Sequence, residues 1–398
     1  MRKFAVLLLL ALSSAANAVP TPPEIVAESA IVVDSMTGKV LYTKACRTKR
    51  PPASTTKMMT AILALENGNL DDQVRASDYA CKTPNSSLHL KPGEILTLHN
   101  LLYGLLIRSG NDSAVCVAEH IAGSEQAFVA MMNLRAKEIG AKDTHFVNPH
   151  GLYNPKHYST AYDLALIARH AIRYPEFNEI VRTRKAHIER SINTKDAYLK
   201  NSARFLWKFD GADGIKTGYT REAGRCFVGS ATRDGWRPIC VILKSNDAGT
   251  DAAAILSYAF KYYQGFYFAK PGEAVTSVHV SGGVTETVNL IPSDSLAVVI
   301  RKSKGNEARS EREIKKARAP IKKGEKLGTV TGYLNGERLG SVDLLAAESV
   351  DRTLAMTIWV WSRTFLLVGV IIVVGYISYG TTAAKAARRR RRGLTARG

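Results

Sequence analysis

The segment "ESAIVVDSMTGKVLYTK" (residues 28–44) reads as a strand, a Gly-bearing turn and a second strand. The loop "RTKRPPAS" leads into "TTKMMTAILALENG", where Met58, Ile62 and Leu65 recur at helical spacing and Gly68 ends the run. Two more helical stretches follow, "LTLHNLLYGLLIRSGN" and "DSAVCVAEHIAG", with Ser109, Gly110 and Asn111 at the break between them. "GSEQAFVAMMNLRAKEIG" is amphipathic, and "STAYDLALIARHAIR" opens with Thr160 and Asp163 spaced as a capping box. "GADGIKTGYT" looks like a strand, and "RCFVGSATRDGWRPICVIL" a hairpin turning at Asp234-Gly235, before a helix near "TDAAAILSYAFKYYQ".

The pattern changes after Phe268. Short alternating runs such as "SVHVSGGVTETVNLI" and "KLGTVTGYLNGERLGSVDLL", with turn pairs Gly282-Gly283 and Asn335-Gly336, predict a small β-domain over residues 268–350. It gathers no cluster of chemically active side chains. Residues 364–382 then run without a charge. At about 1.5 Å rise per residue this stretch is about 28 Å long, close to the hydrocarbon core of a bilayer. It is apolar on every face, so the pattern predicts one spanning helix, with Trp359 and Trp361 as an interfacial belt.

Composition changes the picture mainly at the ends. The net charge of +20 first suggests nucleic acid, but seven cations (Lys385, five consecutive arginines at 388–392, and Arg397) lie in the last fourteen residues. A basic tail behind an apolar span fixes residues 383–398 in the cytoplasm. Residues 1–18, with Arg2, Lys3, "FAVLLLLAL" and the small-residue site "ANA", read as a signal peptide cleaved after Ala18. The bulk of the chain is therefore expected on the extracytoplasmic side of the membrane, with no nucleic-acid partner. The moderately basic remainder suits anionic lipid or an anionic wall polymer. The mixed-charge block from Arg309 to Lys326 reads as a solvated face.

Five cysteines in an oxidising compartment invite a disulfide reading. Within the hairpin, however, Cys226 falls opposite Leu243, three positions from Cys240 and so about 10 Å away, too far to bridge. Cys116 lies in an apolar helical run as a small core residue. Structural or free thiols are expected. No spacing of cysteine and histidine suggests zinc, and His150 and His157 in "NPHGLYNPKHYST" read as structural loop residues.

The candidate chemistry lies in three short motifs. Ser54 and Lys57, three apart at a helix start, share one face, so the lysine meets the serine directly. Serine needs a neighbour to take its proton, and a lysine can do so once burial and nearby cations lower its pKa. Ser109-Gly110-Asn111 adds a hydroxyl and an amide at a helix break. Lys216-Thr217-Gly218 adds a cation and a hydroxyl on a strand, with no side chain at Gly218 to block a docking peptide. Each alone is ordinary: a cap, a break, an edge strand. Together, in this order and about fifty and one hundred residues apart, they match the motif set of penicillin-binding proteins and serine β-lactamases.

With "PPASTTKMMTA", "LLIRSGNDSA", "FVNPHGLYNPKHYSTAYDLA", "DGIKTGYTREAG" and "APIKKGEKLGTV", the chain resembles the low-molecular-mass penicillin-binding D-alanyl-D-alanine carboxypeptidases, serine peptidases of family S11. The resemblance implies an α/β (α+β) fold. Its β-lactamase-like catalytic domain would span residues 19–267, with helices on both sides of an antiparallel sheet. It implies Ser54 as the acyl-forming nucleophile and Lys57 as its base. Ser109 would relay a proton to departing D-alanine, and Asn111 would hold the substrate amide. Lys216 would stabilise charge and Thr217 would grip the terminal carboxylate. The N–H groups of Ser54 and Tyr219 would form the oxyanion hole. The peptide would lie antiparallel along Lys216, Thr217 and Gly218 as an added strand. The implied partners are peptidoglycan stem peptides and, as covalent inhibitors, β-lactams. No metal or cofactor is implied.

Two departures accompany the resemblance. Members often carry an arginine in the loop after the strand that follows Lys-Thr-Gly; here that loop reads "LKSNDAGTDAA", with Lys244 its one cation. Family anchors are often amphipathic, whereas this one spans. Competing functions also leave traces. A class A β-lactamase would add a Glu-bearing loop after Ser109, and none is evident. A β-lactam sensor would carry a cytoplasmic signalling domain, where this chain has a short tail. An endopeptidase acting on existing cross-links shares all three motifs and stays open.

Overall fold

The computed structural model describes residues 21–302 and 307–394. The expected signal segment, residues 1–18, and the last four residues of the tail lie outside the described residues. The chain divides into two compact units, one running to Phe266 and taking in Ala297–Asn306, the other comprising Tyr267–Leu296 and Glu307 onward.

The first unit is built on an antiparallel sheet of β1 (Ser29–Asp34), β2 (Val40–Lys44), β3 (Ala212–Thr220), β4 (Gly224–Ala231) and β5 (Pro238–Ser245), in the order β2-β1-β5-β4-β3. Every residue of β1 is buried, so both faces of the sheet are covered. Ile31, Val33, Val228, Val241 and Leu243 belong to the large helical core. Their alternates Val32, Cys240 and Ile242 are buried on the other face, and helix α7 (Ala248–Tyr262) packs on β4 and β5. The β4–β5 hairpin turns where expected: Asp234 and Gly235 both have positive φ, 50° and 74°, as a two-residue hairpin turn requires.

The helical layer contains α1 (Lys57–Asn67), α2 (Leu98–Tyr103), α3 (Asn111–Ala122), α4 (Glu125–Ile139), α5 (Ala161–Ala171) and α6 (Pro175–Arg182). The spacing of Met58, Ile62 and Leu65 predicts one buried stripe on α1. Instead all eight residues from Lys57 to Ala64 are buried, because α3, α4 and α5 pack around it. Met58, Met59 and Ile62 each contribute roughly 1.5–3 kcal/mol through burial. The helix also starts later than its sequence suggests, since residues Ala53–Thr56 form a 3₁₀ turn ahead of it. At α5 the capping box is half formed. Thr160 accepts from the Asp163 N–H (3.0 Å), but the Asp163 carboxylate turns to the Asp143 N–H (2.7 Å) and the Thr144 hydroxyl (2.8 Å). Asp163 therefore ties down a loop rather than completing the cap. Strand β6 (Tyr263–Ala269) follows α7.

In the second unit, β7 (Thr276–Ser281), β8 (Thr287–Pro292), β10 (Ala308–Ile314), β11 (Ala317–Arg318), β12 (Lys326–Leu334) and β13 (Glu337–Ala346) form a sheet ordered β10-β12-β13-β8-β7-β11. Strand β9 (Leu296–Arg301) instead pairs with β6. Val280, Val288, Leu290, Val330 and Leu344 fill the core of this unit. Asn335 (φ 51°) and Gly336 (φ 84°) close the β12–β13 hairpin. Edge strand β10, in the mixed-charge block, is exposed along nearly its whole length, as a solvated face should be. The chain ends in α8 (Leu354–Leu394). Its stretch Leu354–Lys385 is long and apolar enough to cross a membrane, and its most apolar 18 residues are not buried in the protein. The helix begins ten residues before the expected 364–382 span, so Trp359 and Trp361 lie on the helix itself.

Candidate active site

Ser54 sits in the 3₁₀ turn that precedes α1, just after Ala53, whose φ of 48° is left-handed. A non-glycine residue in that region costs about 1–2 kcal/mol, so the turn is held by its surroundings. Thr56 Oγ1 donates to Ala53 O (2.8 Å) and pairs with His157 Nε2 (2.9 Å). His157 Nδ1 accepts from the Val147 N–H (3.2 Å), which leaves the ring proton on Nε2 to donate to Thr56. Burial drives the His157 pKa down to about 3, so the ring is neutral. His157 thus braces the turn that carries Ser54, the structural role expected of it.

Three carriers converge on Ser54. From α1, Lys57 Nζ lies 3.1 Å from Ser54 Oγ, 2.7 Å from Asn111 Oδ1 and 2.8 Å from His150 O. The lysine is fully buried and makes no ion pair among the described residues. Its pKa is held well below the usual lysine value, first by burial and then by the positive charge of Lys216, while Asp112 pulls the other way. The neutral amine has two N–H donors and one lone pair. The two carbonyl oxygens take the donors, and the lone pair is left for the serine hydroxyl. That arrangement suits proton abstraction.

The second carrier is the junction between α2 and α3. A π-helical turn, Gly104–Arg108, ends in Ser109 with φ 67°. The backbone therefore turns at Ser109 and not at the neighbouring Gly110. Gly110 is needed for space instead: a Cβ there would stand 2.7 Å from both Asp112 Oδ1 and Ser113 Oγ. Asn111 donates through Nδ2 to Pro84 O and through its backbone N–H to Ser86 O, each at 2.7 Å. The buried Asp112 accepts from the N–H groups of Leu88 (2.8 Å) and Leu90 (3.1 Å) and from the Ser87 hydroxyl (2.6 Å). Together they fasten residues 84–90 as a wall of the cleft.

The third carrier is β3, the free edge of the sheet. Lys216, buried, donates to Ser109 Oγ (2.9 Å) and to Thr217 O (3.0 Å), and burial pushes its pKa down to about 7. Thr217 Oγ1 shares a hydrogen bond with Ser202 Oγ (2.9 Å). A Cβ on Gly218 would stand 2.9 Å from Ser54 N. The missing side chain thus admits the serine turn itself, a tighter demand than leaving room for a peptide. Tyr219 follows, its side chain largely exposed. A cavity of about 960 Å³ is lined by Ser54, Ser109, Thr217, Gly218 and Tyr219. A second opening is lined by Ser54, Asn111, His150 and Tyr219.

All the expected site residues thus gather around one cleft. The sequence reading did not reach the His150 carbonyl, Asp112 and Ser202. A backbone acceptor leaves no mark in residue types, and Asp112 reads as an ordinary first-turn acid. The five cysteines are free. Cys240 pairs with Gly229, three positions from Cys226, which is the offset expected from the hairpin. Burial raises the thiols of Cys226 and Cys240 to about 11 and about 12, so neither is a nucleophile.

A half-buried serine beside a buried lysine, a second serine–lysine pair and an open strand edge are the parts of a serine hydrolase. Comparison with known proteins narrows the class. Residues 16–247 match peptidase S11, D-alanyl-D-alanine carboxypeptidase, and residues 263–352 match the C-terminal domain of penicillin-binding protein 5. D-alanyl-D-alanine carboxypeptidase DacF of Bacillus subtilis is 35% identical over 336 residues, covering 82% of this chain and 86% of that protein. DacC of Escherichia coli is 30% identical over 346 residues, covering 83% and 85%. The crystal structure of penicillin-binding protein 5 from Haemophilus influenzae superimposes with a TM-score of 0.63 at 30% identity, over 84% of this chain and 100% of that one. The chain belongs to the S11 family of serine D-alanyl-D-alanine carboxypeptidases.

Proposed function

We propose that the chain removes the terminal D-alanine from peptidoglycan stem pentapeptides through an acyl-enzyme on Ser54. The observation that carries this reading is the Lys57 amine, buried among three neutral oxygens and within 3.1 Å of Ser54 Oγ. Neutral Lys57 takes the Ser54 proton as Oγ attacks the carbonyl of the penultimate D-alanine. The N–H groups of Ser54 and Tyr219 receive the developing oxyanion, each such donor typically contributing ~2.7–4 kcal/mol. Ser109, held by Lys216, passes a proton to the departing amine and takes one in turn from the Lys57 ammonium, so the D-alanine leaves and Lys57 is neutral again. Water, deprotonated by the same lysine, then cleaves the ester and regenerates the serine. Asn111, already bonded to Lys57 and Pro84, retains one N–H for the substrate carbonyl. Thr217 and Ser202 offer hydroxyls to the substrate terminus. A β-lactam enters by the same attack and stays as a stable acyl-enzyme.

The substrate lies outside the cytoplasm, which agrees with the signal pattern of residues 1–18 and with anchoring by the apolar helix. Domain roles follow the same division: catalysis in residues 19–267, with the small β-domain of residues 268–350 between it and the apolar helix in chain order. Trimming pentapeptides removes the donor for cross-linking, so the enzyme would limit cross-links and influence cell shape. The test is incubation of the chain with a pentapeptide muropeptide and with a cross-linked dimer, products read by mass. Loss of one D-alanine from the monomer, abolished by Ser54→Ala, is the expected result. Cleavage of the dimer alone would replace this reading with an endopeptidase.

A further inference from the structure

The large cavity continues past Thr217 to a wall that carries Arg204, Lys208 and Arg225. None of these three side chains has an ion-pair partner among the described residues. Arg108, also on the wall, is engaged by Asp196 at 3.1 Å. The one carboxylate there, Asp247, caps α7 by accepting from the Thr250 N–H (3.3 Å) and hydroxyl (2.7 Å). The Asp247 pKa is lowered chiefly by its bonds to Thr250 and least by the charge of Arg225, so the wall keeps three cations without a direct ion pair and suits an anionic ligand group.

An exopeptidase must recognise a free chain end, and the charge of that end is its carboxylate. The groups already placed near it are neutral or occupied. Thr217 and Ser202 are hydroxyls, and Lys216 is buried and committed to Ser109 and the Thr217 carbonyl. Lys244, the cation of the following loop, faces elsewhere and pairs with Glu28 at 3.1 Å. Arg225 is differently placed. It is directly opposite Tyr219 across the β3–β4 ladder, and Thr217 is opposite Phe227. Arg225 and Thr217 are therefore diagonal neighbours on one face, about 7–8 Å apart at the backbone, within the reach of a long side chain. The pairing of β4 with β5 shifts register between Arg225 and Phe227, a bulge of the kind that re-aims a side chain. The guanidinium lies 5.9 Å from the Tyr219 ring centre, at the edge of the docking strand.

We propose that Arg225 is the specificity-determining residue that binds the terminal carboxylate of the substrate, next to the Thr217 and Ser202 hydroxyls. The assignment rests on the carboxypeptidase reading above. A guanidinium offers two parallel N–H groups to a carboxylate, which a single ammonium does not. Arg204 and Lys208 sit on a one-turn helix, Phe205–Lys208 and the residue before it, and lack the strand that fixes Arg225 against the peptide track.

The test compares an N-acylated tripeptide ending in D-Ala-D-Ala with the same peptide ending in D-alaninamide. The wild-type chain should prefer the free acid. Arg225→Gln should raise KM for the acid about tenfold to a hundredfold, with a smaller change in kcat, and bring the acid-to-amide ratio toward one. Arg225→Lys should fall between the two. Arg204→Gln and Lys208→Gln should keep the wild-type ratio, and melting temperatures should show all variants folded. A wild-type ratio in Arg225→Gln, or collapse of the ratio in Arg204→Gln or Lys208→Gln instead, would overturn the assignment. A wild-type chain that forms no acyl-enzyme with penicillin and releases no D-alanine would instead overturn the carboxypeptidase reading, and the role of Arg225 with it.

Discussion

A lysine ammonium surrounded by neutral oxygens and out of contact with water is poorly stabilised, and both site lysines are in that position. Lys57 and Lys216 share one buried site, and each gives up its proton more readily than a lysine in water. For Lys57 this is what the proposed role as base requires, so Lys57→Arg should fail although it preserves the positive charge. Guanidinium stays protonated and accepts nothing from Ser54. Penicillin acylation should drop by about 10²–10⁴-fold, the usual contribution of a general base; a Lys57→Arg protein labelled at the wild-type rate would remove the lysine from the mechanism. Lys216 gives a second prediction, with a sign. Its folded pKa of about 7 lies below the unfolded value of 10.5. Between those values the unfolded chain binds more protons, so stability rises with pH across that window. In Lys216→Met that slope disappears. Denaturation measured from pH 7 to pH 10 should show wild type gaining on the variant by up to about 1.4 kcal/mol per pH unit. Parallel curves would mean that Lys216 stays charged. The same substitution removes a positive neighbour of Lys57, so the acid limb of acylation should move to higher pH.

The elements hold these side chains by means that residue types do not announce. The three motifs were legible because nucleophile, base and strand-borne lysine are defined by identity and spacing. The helix i to i+3 relation placed Lys57 beside Ser54 even though Ser54 lies in a 3₁₀ turn. The strands of the main sheet and the Asp234-Gly235 hairpin were legible for the same reason, since their signals are local. The left-handed Ala53 and Ser109, the π-helical turn and the His150 carbonyl were not. Each is imposed by tertiary contacts on residues with no such preference of their own. Gly151, within "NPHGLYNPKHYST", illustrates the difference. Its φ is 88°, and a Cβ there would stand 1.9 Å from Ala53 O, on the very turn that carries Ser54. Gly151→Ala should therefore cost on the order of 2–4 kcal/mol, backbone strain plus a clash with unyielding main chain. It should also slow acylation, because relief of the clash displaces Ser54. A variant with the wild-type denaturation midpoint would show that residues 148–152 do not brace the nucleophile. Gly123 has a comparable φ of 74° with nothing within 4 Å of its Cβ position, and Gly123→Ala should lose stability without touching acylation.

For the whole molecule the chain order and the compact units do not coincide. A single boundary near residue 267 is what the shift from helical to alternating patterns suggests. Residues 297–306, however, count with the first unit. Within that unit Lys39 Nζ donates to Val299 O (2.7 Å), Lys302 Nζ to Phe260 O (2.8 Å) and the Lys302 N–H to Tyr262 O (2.9 Å). Val299 and Ile300 are buried. Alternation of apolar and polar residues looks the same whichever sheet a strand joins, so the return of β9 could not be read from its pattern. It matters for any attempt to isolate the catalytic part. A chain cut after residue 267 loses β9 with its pairing to β6, the buried side chains of Val299 and Ile300, and the three hydrogen bonds above. The loss should be on the order of 3–5 kcal/mol, enough to make a domain of ordinary stability marginal. A chain in which residues 267–296 are replaced by a short Gly/Ser linker and which ends at Asn306 restores those contacts without the β-domain. It should melt several degrees higher than the simple truncation and acylate with penicillin at close to the rate of the full chain, because no residue of the cleft lies beyond position 266. If both shortened chains melt together, β9 adds nothing to the catalytic unit. If the linked chain is folded but no longer acylates, the β-domain shapes the active site directly.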